Sequence, residues 1–331
     1  LSFFRSFIMK NISKKKSSFE LTKSIDLGQM RPRGFHKKID FLLKSINKIV
    51  SSKSGWVNVL KCPVCGDKKF TNWMKKNGNN IRKCKTCTHG YVSRRPKKLS
   101  EAYENDKHKA RAVAIYDKMR KYRIERFAKE RVKLLKRFKK KGSLLDFGCG
   151  TGWFLEHART QYKVSGFEPT KNLAAITSNL LKIEVYHNTK NFKNNSFDII
   201  TAFDVIEHVS KPQEAFKEYS RLLKKNGILL IYTPNANSVA FDYMLEQQNN
   251  VTPPIHLHYF NEKSINKLAG LSFSPIYFGT FGLDIGDIYA HERDNGNKEF
   301  SNFLHKNYQV LQTFFDNMDY GNHLRTIFKK N

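Results

Sequence analysis

Four of the five cysteines in this 331-residue chain fall into two pairs, Cys62-Pro63-Val64-Cys65 and Cys84-Lys85-Thr86-Cys87, with eighteen residues between them. Two thiolates two residues apart on a tight turn form one half of a metal cage, and two such turns present four sulfurs tetrahedrally to zinc. The alternative, two disulfides, needs an oxidising compartment that nothing in the sequence indicates. The expected ligands are therefore Cys62, Cys65, Cys84 and Cys87, and the metal would stabilise a module too small to do so by core burial alone. His89 follows closely, but four sulfurs already complete the shell.

A second constellation is Leu144-Leu145-Asp146-Phe147 followed by Gly148-Cys149-Gly150-Thr151-Gly152 and then Trp153-Phe154-Leu155. An apolar strand, a glycine-rich turn and a helix start let backbone amides approach a ligand closely. Glu168 closes the next apolar run sixteen residues after Gly152, where a carboxylate can accept hydrogen bonds from both hydroxyls of a ribose. A nucleoside cofactor is implied. Cys149, inside the loop, reads as a small packing residue, because a thiol nucleophile would need an activating base and none is apparent.

The elements that must hold these residues alternate strand and helix, as a parallel sheet covered on both faces requires. Strands are expected at 143–147, 163–168, 183–186, 197–204 and 227–233, with helices at 153–160, 171–180 and 211–224. Beyond them, 273–278 and 285–290 read as strands and 300–318 as a helix. Upstream, apolar residues Ile39, Leu42, Leu43, Ile46, Ile49 and Val50 recur at helical steps over 37–50. A long, very basic helical stretch runs over 98–141. The expected organisation is a basic extension over 1–55, a zinc-ribbon module over 56–97, a basic helical linker over 98–142 and an α/β domain over 143–331.

The glycine loop, the acid at its strand end and the spacing to Glu168 resemble the class I S-adenosylmethionine-dependent methyltransferases, in particular the branch with a zinc-ribbon-like N-terminus. The resemblance covers roughly residues 60 to 280. It extends through Phe197-Asp198-Ile199-Ile200-Thr201-Ala202-Phe203-Asp204-Val205-Ile206-Glu207-His208-Val209 and then Leu222-Leu223-Lys224-Lys225-Asn226-Gly227-Ile228-Leu229-Leu230-Ile231-Tyr232-Thr233-Pro234-Asn235. It implies a Rossmann-like, doubly wound, mostly parallel sheet. It also implies that Asp146, Gly148, Gly150 and Gly152 face the methionine part of the cofactor, Glu168 its ribose, and Phe203 and Asp204 the sulfonium. Members of the family often offer an acid to the adenine amine after the third strand. Here that segment is His187-Asn188-Thr189, which leaves Asn188 for the role.

A sulfonium carries its own leaving group, so the protein must chiefly align an acceptor and take up its proton. His208 is the first expected base, with a structural role in a Glu-His-Val turn as its alternative. His256-Leu257-His258 would put two imidazoles on one face of an extended strand, and His256 is the second expected catalytic residue. Glu207, His208 and His256 also have metal-ligating chemistry, but their sequence spacing does not indicate a metal site.

Net charge divides unevenly. Residues 1–142 hold 41 Lys+Arg against 10 Asp+Glu, whereas residues 143–331 hold 19 of each. AT-rich coding bias would touch both halves, so the asymmetry points to contact with a polyanion, either nucleic acid or an acidic membrane surface. Arg82, Lys83, Lys85, Arg94, Arg95, Lys97 and Lys98, with Trp73 and Tyr91 as stacking surfaces, would suit RNA or DNA, and also an acidic lipid or glycan. No run reaches the roughly 18 apolar residues of a membrane span, and the N-terminus lacks a signal-peptide pattern. The expected location is the cytoplasm, with or without peripheral membrane contact. The first residue is Leu, which makes Met9 or Met30 a possible initiator. The sequence thus reads as a methyltransferase acting on a small molecule such as a sugar or cell-envelope intermediate. An RNA or DNA methyltransferase gripping its substrate with the basic half is the second reading, and a non-catalytic polyanion-binding scaffold the third.

Overall fold

The computed structural model describes residues 27–30, 33, 34, 37, 55–97 and 119–331. The helix expected over 37–50 lies outside these residues beyond Lys37, as do most of the extension over 1–55 and the 98–118 part of the basic linker. The described part of that linker is helical over Arg120–Arg123, a π-helical turn Ile124–Ala128, and Lys129–Lys136, and then turns into the strand that begins at Ser143.

Thirteen strands, β1 to β13 in chain order, are described. The first five, Trp56–Asn58, Phe70–Lys76, Asn79–Cys84, Gly90–Val92 and Arg94–Pro96, belong to the cysteine module. The others are Ser143–Phe147, Lys163–Phe167, Val185–Tyr186, Phe197–Phe203, Leu223–Pro234, His258–Tyr259, Phe273–Phe281 and His323–Lys330. Seven of them form one sheet in the order β12-β13-β10-β9-β6-β7-β8. Only β13 is reversed, pairing antiparallel with both β10 and β12, while β10, β9, β6, β7 and β8 run parallel. Strands covered on both faces need apolar residues at consecutive positions, and the Leu229-Leu230-Ile231 run of β10 is fully buried. Leu144, Ile199, Leu230 and Ile327 pack on the side of Leu135 from the linker helix; Leu145, Ile200, Leu229 and Phe328 pack on the side of Phe216 and Tyr219 from helix Pro212–Leu222. The result is the expected Rossmann-like, doubly wound sheet.

The early strands and helices fall within a few residues of expectation, including Trp153–Ala158 and Lys171–Leu181. The last third differs. Residues 285–290, expected as a strand, lie in helix Asp284–Asp294: Ile285 and Ile288 are one helical step apart and share a cluster with Leu304 and Tyr308. The helix expected over 300–318 is two, Lys298–Lys306 and Tyr308–Asn317, broken at Asn307. Strand β13 was not anticipated, because Arg325, buried at its centre, disguises an apolar run.

The cysteine module is not a free-standing ribbon. Strand β11, contributed from beyond the Rossmann-like core, is the fourth strand of its sheet, in the order β11-β4-β3-β2. Gly90 permits this: a Cβ there would meet Trp73 at 2.7 Å and Tyr259 at 2.8 Å. Gln213 Nε2 donates to Val64 O at 2.9 Å and Asn261 Nδ2 to Thr88 O at 3.2 Å, so the module is clamped onto the starts of helices Pro212–Leu222 and Glu262–Ala269.

Candidate active site and cysteine cluster

Strand β6 pairs with β7 on one side and β9 on the other, so the chain reverses its winding at β6 and leaves a crevice at the carboxyl ends. The glycine loop crosses that crevice. Gly148 and Gly152 hold positive φ angles of 83° and 72°, and a Cβ would meet Val205 at 2.5 Å from the first and Leu181 at 2.6 Å from the second. Gly150, with φ 52°, faces open space, nothing lying within 4 Å of where its Cβ would stand. The loop is therefore packed at its ends and open at its middle, which is the cradle a ligand backbone contact requires.

Both predicted carboxylates are buried here. Glu168 accepts from Gly150 N at 3.1 Å with one oxygen and from Thr170 N at 3.0 Å with the other, and each oxygen keeps further acceptor capacity for a hydroxyl. Asp146 accepts from Thr201 Oγ1 at 2.7 Å; burial pushes its carboxyl up to about 7, against the pull of that hydrogen bond and of Arg131. Burial, reinforced by Asp146 and Glu168, also raises the Cys149 thiol well above its ordinary range, so that side chain packs as a neutral group.

Asn188, at the end of β8, is exposed and accepts from Lys190 N at 2.9 Å, capping a short 3-10 turn. Phe203 ends β9, its ring 4.8 Å from Phe154 and 5.1 Å from Tyr232. Asp204 follows in a left-handed conformation, φ 56°, with Oδ1 3.5 Å from His323 Nε2. Partial burial opposes its ionisation, but His323 and Arg131 prevail and hold the carboxyl below its usual range.

Beyond Asp204, the 3-10 turn Ile206–His208 sits beneath the segment leading into β11, and Leu257 N donates to Glu207 O at 2.8 Å. The rings of His208 and His256 lie 4.6 Å apart, edge to face. The His208 Nδ1 is 3.0 Å from Ile255 O and the His256 Nδ1 is 2.7 Å from Asn250 O. A carbonyl only accepts, so both Nδ1 atoms carry hydrogen and each Nε2 is the lone-pair nitrogen. Burial lowers both imidazoles, His256 to about 3, so both are neutral near pH 7. Glu207 accepts from Thr233 Oγ1 at 2.9 Å, and burial, with Asp204 adding, pushes its carboxyl well above the usual range. Glu207, His208 and His256 bring one ligand atom each within 4.8 Å of one another. The sequence offered these three residues without a ligand spacing to join them, because forty-seven residues separate His208 from His256; the fold brings them together as a cluster that could hold a cation.

The structure does not keep His256 and His258 together. His258 turns to the cysteine module, its Nδ1 3.1 Å from His89 Nε2 and its Nε2 2.9 Å from Val209 O. In the module, the Cys62 and Cys87 sulfurs are 3.5 Å apart and those of Cys65 and Cys84 3.6 Å, with all four within 4.8 Å. Sulfurs on a tetrahedron around zinc stand roughly 3.8 Å apart for Zn–S bonds of about 2.3 Å, so the donor set fits that ion. Of the two aromatic residues named as stacking surfaces, Tyr91 is fully buried and Trp73 packs on Phe241 and Tyr259.

Residues 119–270 match the model of a family described as a methyltransferase domain. A ubiquinone biosynthesis O-methyltransferase from Pelagibacter ubique is 27% identical over 161 residues, covering 40% of this chain and 65% of that protein. Its mitochondrial counterpart from Saccharomyces cerevisiae is 28% identical over 155 residues, covering 43% and 50%. The chain thus spans between half and 65% of the length of these relatives. Among solved structures, an S-adenosylmethionine-dependent methyltransferase from Thermotoga maritima is 19% identical, covers 67% of this chain and 97% of its own, and has a TM-score of 0.44. Phosphoethanolamine N-methyltransferase 2 of Haemonchus contortus is 18% identical, covers 78% and 70%, and has a TM-score of 0.46. Over residues 119–270 this chain is therefore similar to the methyltransferase-domain family, on the same Rossmann-like, mostly parallel sheet that the sequence led us to expect.

Proposed function

We propose that this chain transfers a methyl group from S-adenosylmethionine to a small-molecule acceptor. The observation that carries the reading is the glycine loop whose middle residue, Gly150, faces open space while its amide donates to the buried carboxylate Glu168. In this reading Asp146, Gly148, Gly150 and Gly152 hold the methionine part of the cofactor, Glu168 its ribose, Asn188 lies toward the adenine, and Phe203 and Asp204 flank the reacting centre. The bound cofactor supplies the methyl group on a sulfonium that is itself the leaving group. The Nε2 of His208 or His256 takes the acceptor proton, each ring being fixed in the right tautomer by a backbone carbonyl.

The curated relatives are named for O-methylation in ubiquinone biosynthesis, which supports an oxygen acceptor; a sugar or cell-envelope intermediate is the narrower class we favour. Zinc at Cys62, Cys65, Cys84 and Cys87 is structural and belongs to a module over 56–97 that precedes the catalytic domain over 143–331. Contact of residues 1–142 with nucleic acid or an acidic membrane surface rests on charge alone, since Tyr91 and Trp73 are occupied in packing. Among the described residues no helix is long and apolar enough to cross a membrane. The decisive experiment is calorimetric titration of the zinc-loaded protein with S-adenosylmethionine. One-site binding, weakened at least tenfold by Glu168→Ala, is expected; no binding by the wild type would refute the reading.

A further inference from the structure

Three arginines are buried side by side at the carboxyl edge of the main sheet: Arg126, Arg131 and Arg325, exposed by only 5%, 8% and 6%. They alternate with aromatic rings. Arg126 lies 5.1 Å from the Phe281 ring, Arg325 lies 4.4 Å from Phe281 and 4.9 Å from Tyr232, and Arg131 lies 4.7 Å from Tyr232 and 4.1 Å from Phe203. One carboxylate bonds this ladder: Glu130 accepts from Arg325 Nη1 at 2.7 Å and from Tyr232 OH at 3.4 Å. Asp204 stands near Arg131, but its Oδ1 lies 3.5 Å from His323 Nε2. Arg126 Nε and Nη2, Arg131 Nε and Nη1 and Arg325 Nε are buried with no hydrogen-bond partner among the described residues.

Stacking on rings offsets part of the cost of burying a guanidinium, but leaves its in-plane N–H groups unsatisfied. Such donors, in a fixed fork, match the oxygens of a carboxylate or phosphate. The ladder's place in the sheet indicates which ligand would supply those oxygens. Phe203, Tyr232 and Arg325 are cross-strand neighbours on β9, β10 and β13, and Phe281 ends β12. The glycine loop and Glu168 lie on the other side of the winding reversal, on β6 and β7. The row of cations therefore starts at Arg131, which lies 4.1 Å from Phe203, where methyl transfer would occur, and 5.0 Å from Trp153 at the end of the glycine loop, and runs from there toward β12.

We infer that this arginine-aromatic ladder binds an anionic group, a carboxylate or a phosphate, of the methyl acceptor. The inference rests on the methyltransferase reading for the identity of the ligand as acceptor, whereas anion binding itself is tested separately. The full-length zinc-loaded protein is titrated calorimetrically with inorganic phosphate and with benzoate at constant ionic strength, as wild type, Arg126→Met and Arg126→Lys. Saturable binding of at least one probe is expected, weakened tenfold or more by Arg126→Met and less by Arg126→Lys, with S-adenosylhomocysteine affinity changed less than threefold. Absence of binding of both probes to the wild type, or unchanged binding to Arg126→Met, overturns the site. Should Arg126→Met not fold, Arg126→Lys carries the same comparison. If the variant weakens S-adenosylhomocysteine tenfold but leaves 5′-methylthioadenosine unchanged, the anion is the cofactor's own carboxylate and the acceptor assignment fails. A wild type that binds phosphate but not S-adenosylhomocysteine refutes the methyltransferase reading and leaves the anion site standing.

Discussion

Replacing Asp146 by Asn should make the folded protein more stable at neutral pH and less able to bind its cofactor, and both effects should depend on pH. Burial raises the Asp146 carboxyl from 3.8 to about 7, with Thr201, Arg131 and Glu168 as smaller influences. An acid whose pKa is higher in the folded state favours folding when protonated, and that advantage is lost as pH rises through the folded value. Wild-type stability should therefore fall between about pH 4 and about pH 7, by an amount that at ~1.4 kcal/mol per unit comes to roughly 4 kcal/mol as an upper figure. Asn cannot ionise, yet it still accepts the Thr201 hydroxyl, so the variant escapes this loss. Urea unfolding of the two proteins should give matching stabilities at pH 4 and a gap of a few kcal/mol in favour of Asn at pH 8. Cofactor binding runs the other way. If the ammonium of S-adenosylmethionine needs the ionised carboxylate, only about 3% of the wild type is competent at pH 5.5, and apparent affinity should drop about 30-fold from its value at high pH. A stability gap that does not change between pH 4 and 8, or a wild-type affinity flat across pH 5.5 to 8, would show that Asp146 is not the buried titrating acid described here.

Metal analysis should find one zinc per chain, lost in Cys62→Ser; because β11 is a strand of the cysteine-bearing sheet, amide exchange should speed up at 257–260 as well as in the module itself. His208→Ala should lower kcat by 10²- to 10⁴-fold, the usual range for a lost general base, while S-adenosylhomocysteine affinity stays within about threefold. Full turnover with an unchanged pH profile in that variant would leave His208 a purely structural role.

Period and composition were enough for the elements that carry the candidate cofactor site. The run Leu144-Leu145-Asp146-Phe147 is apolar on both faces because both faces of β6 are covered, and the glycine spacing fixes a turn that bulkier residues cannot enter. The two cysteine pairs likewise identified their own cluster, since each knuckle is local and only the approach of one to the other is tertiary. What sequence could not supply is everything made by contacts between distant segments. His256 meets His208 only because β11 joins the cysteine module's sheet and draws its leading residues over the turn after β9. Tyr91, on a basic stretch that looked like a nucleic-acid surface, is buried by that same joining. Arg126 and Arg131, on the linker helix, lie 199 and 194 residues from Arg325 in the chain. Burial, which turns an ordinary arginine into an anion-seeking one, is a property of the packed sheet edge, and no local pattern encodes it.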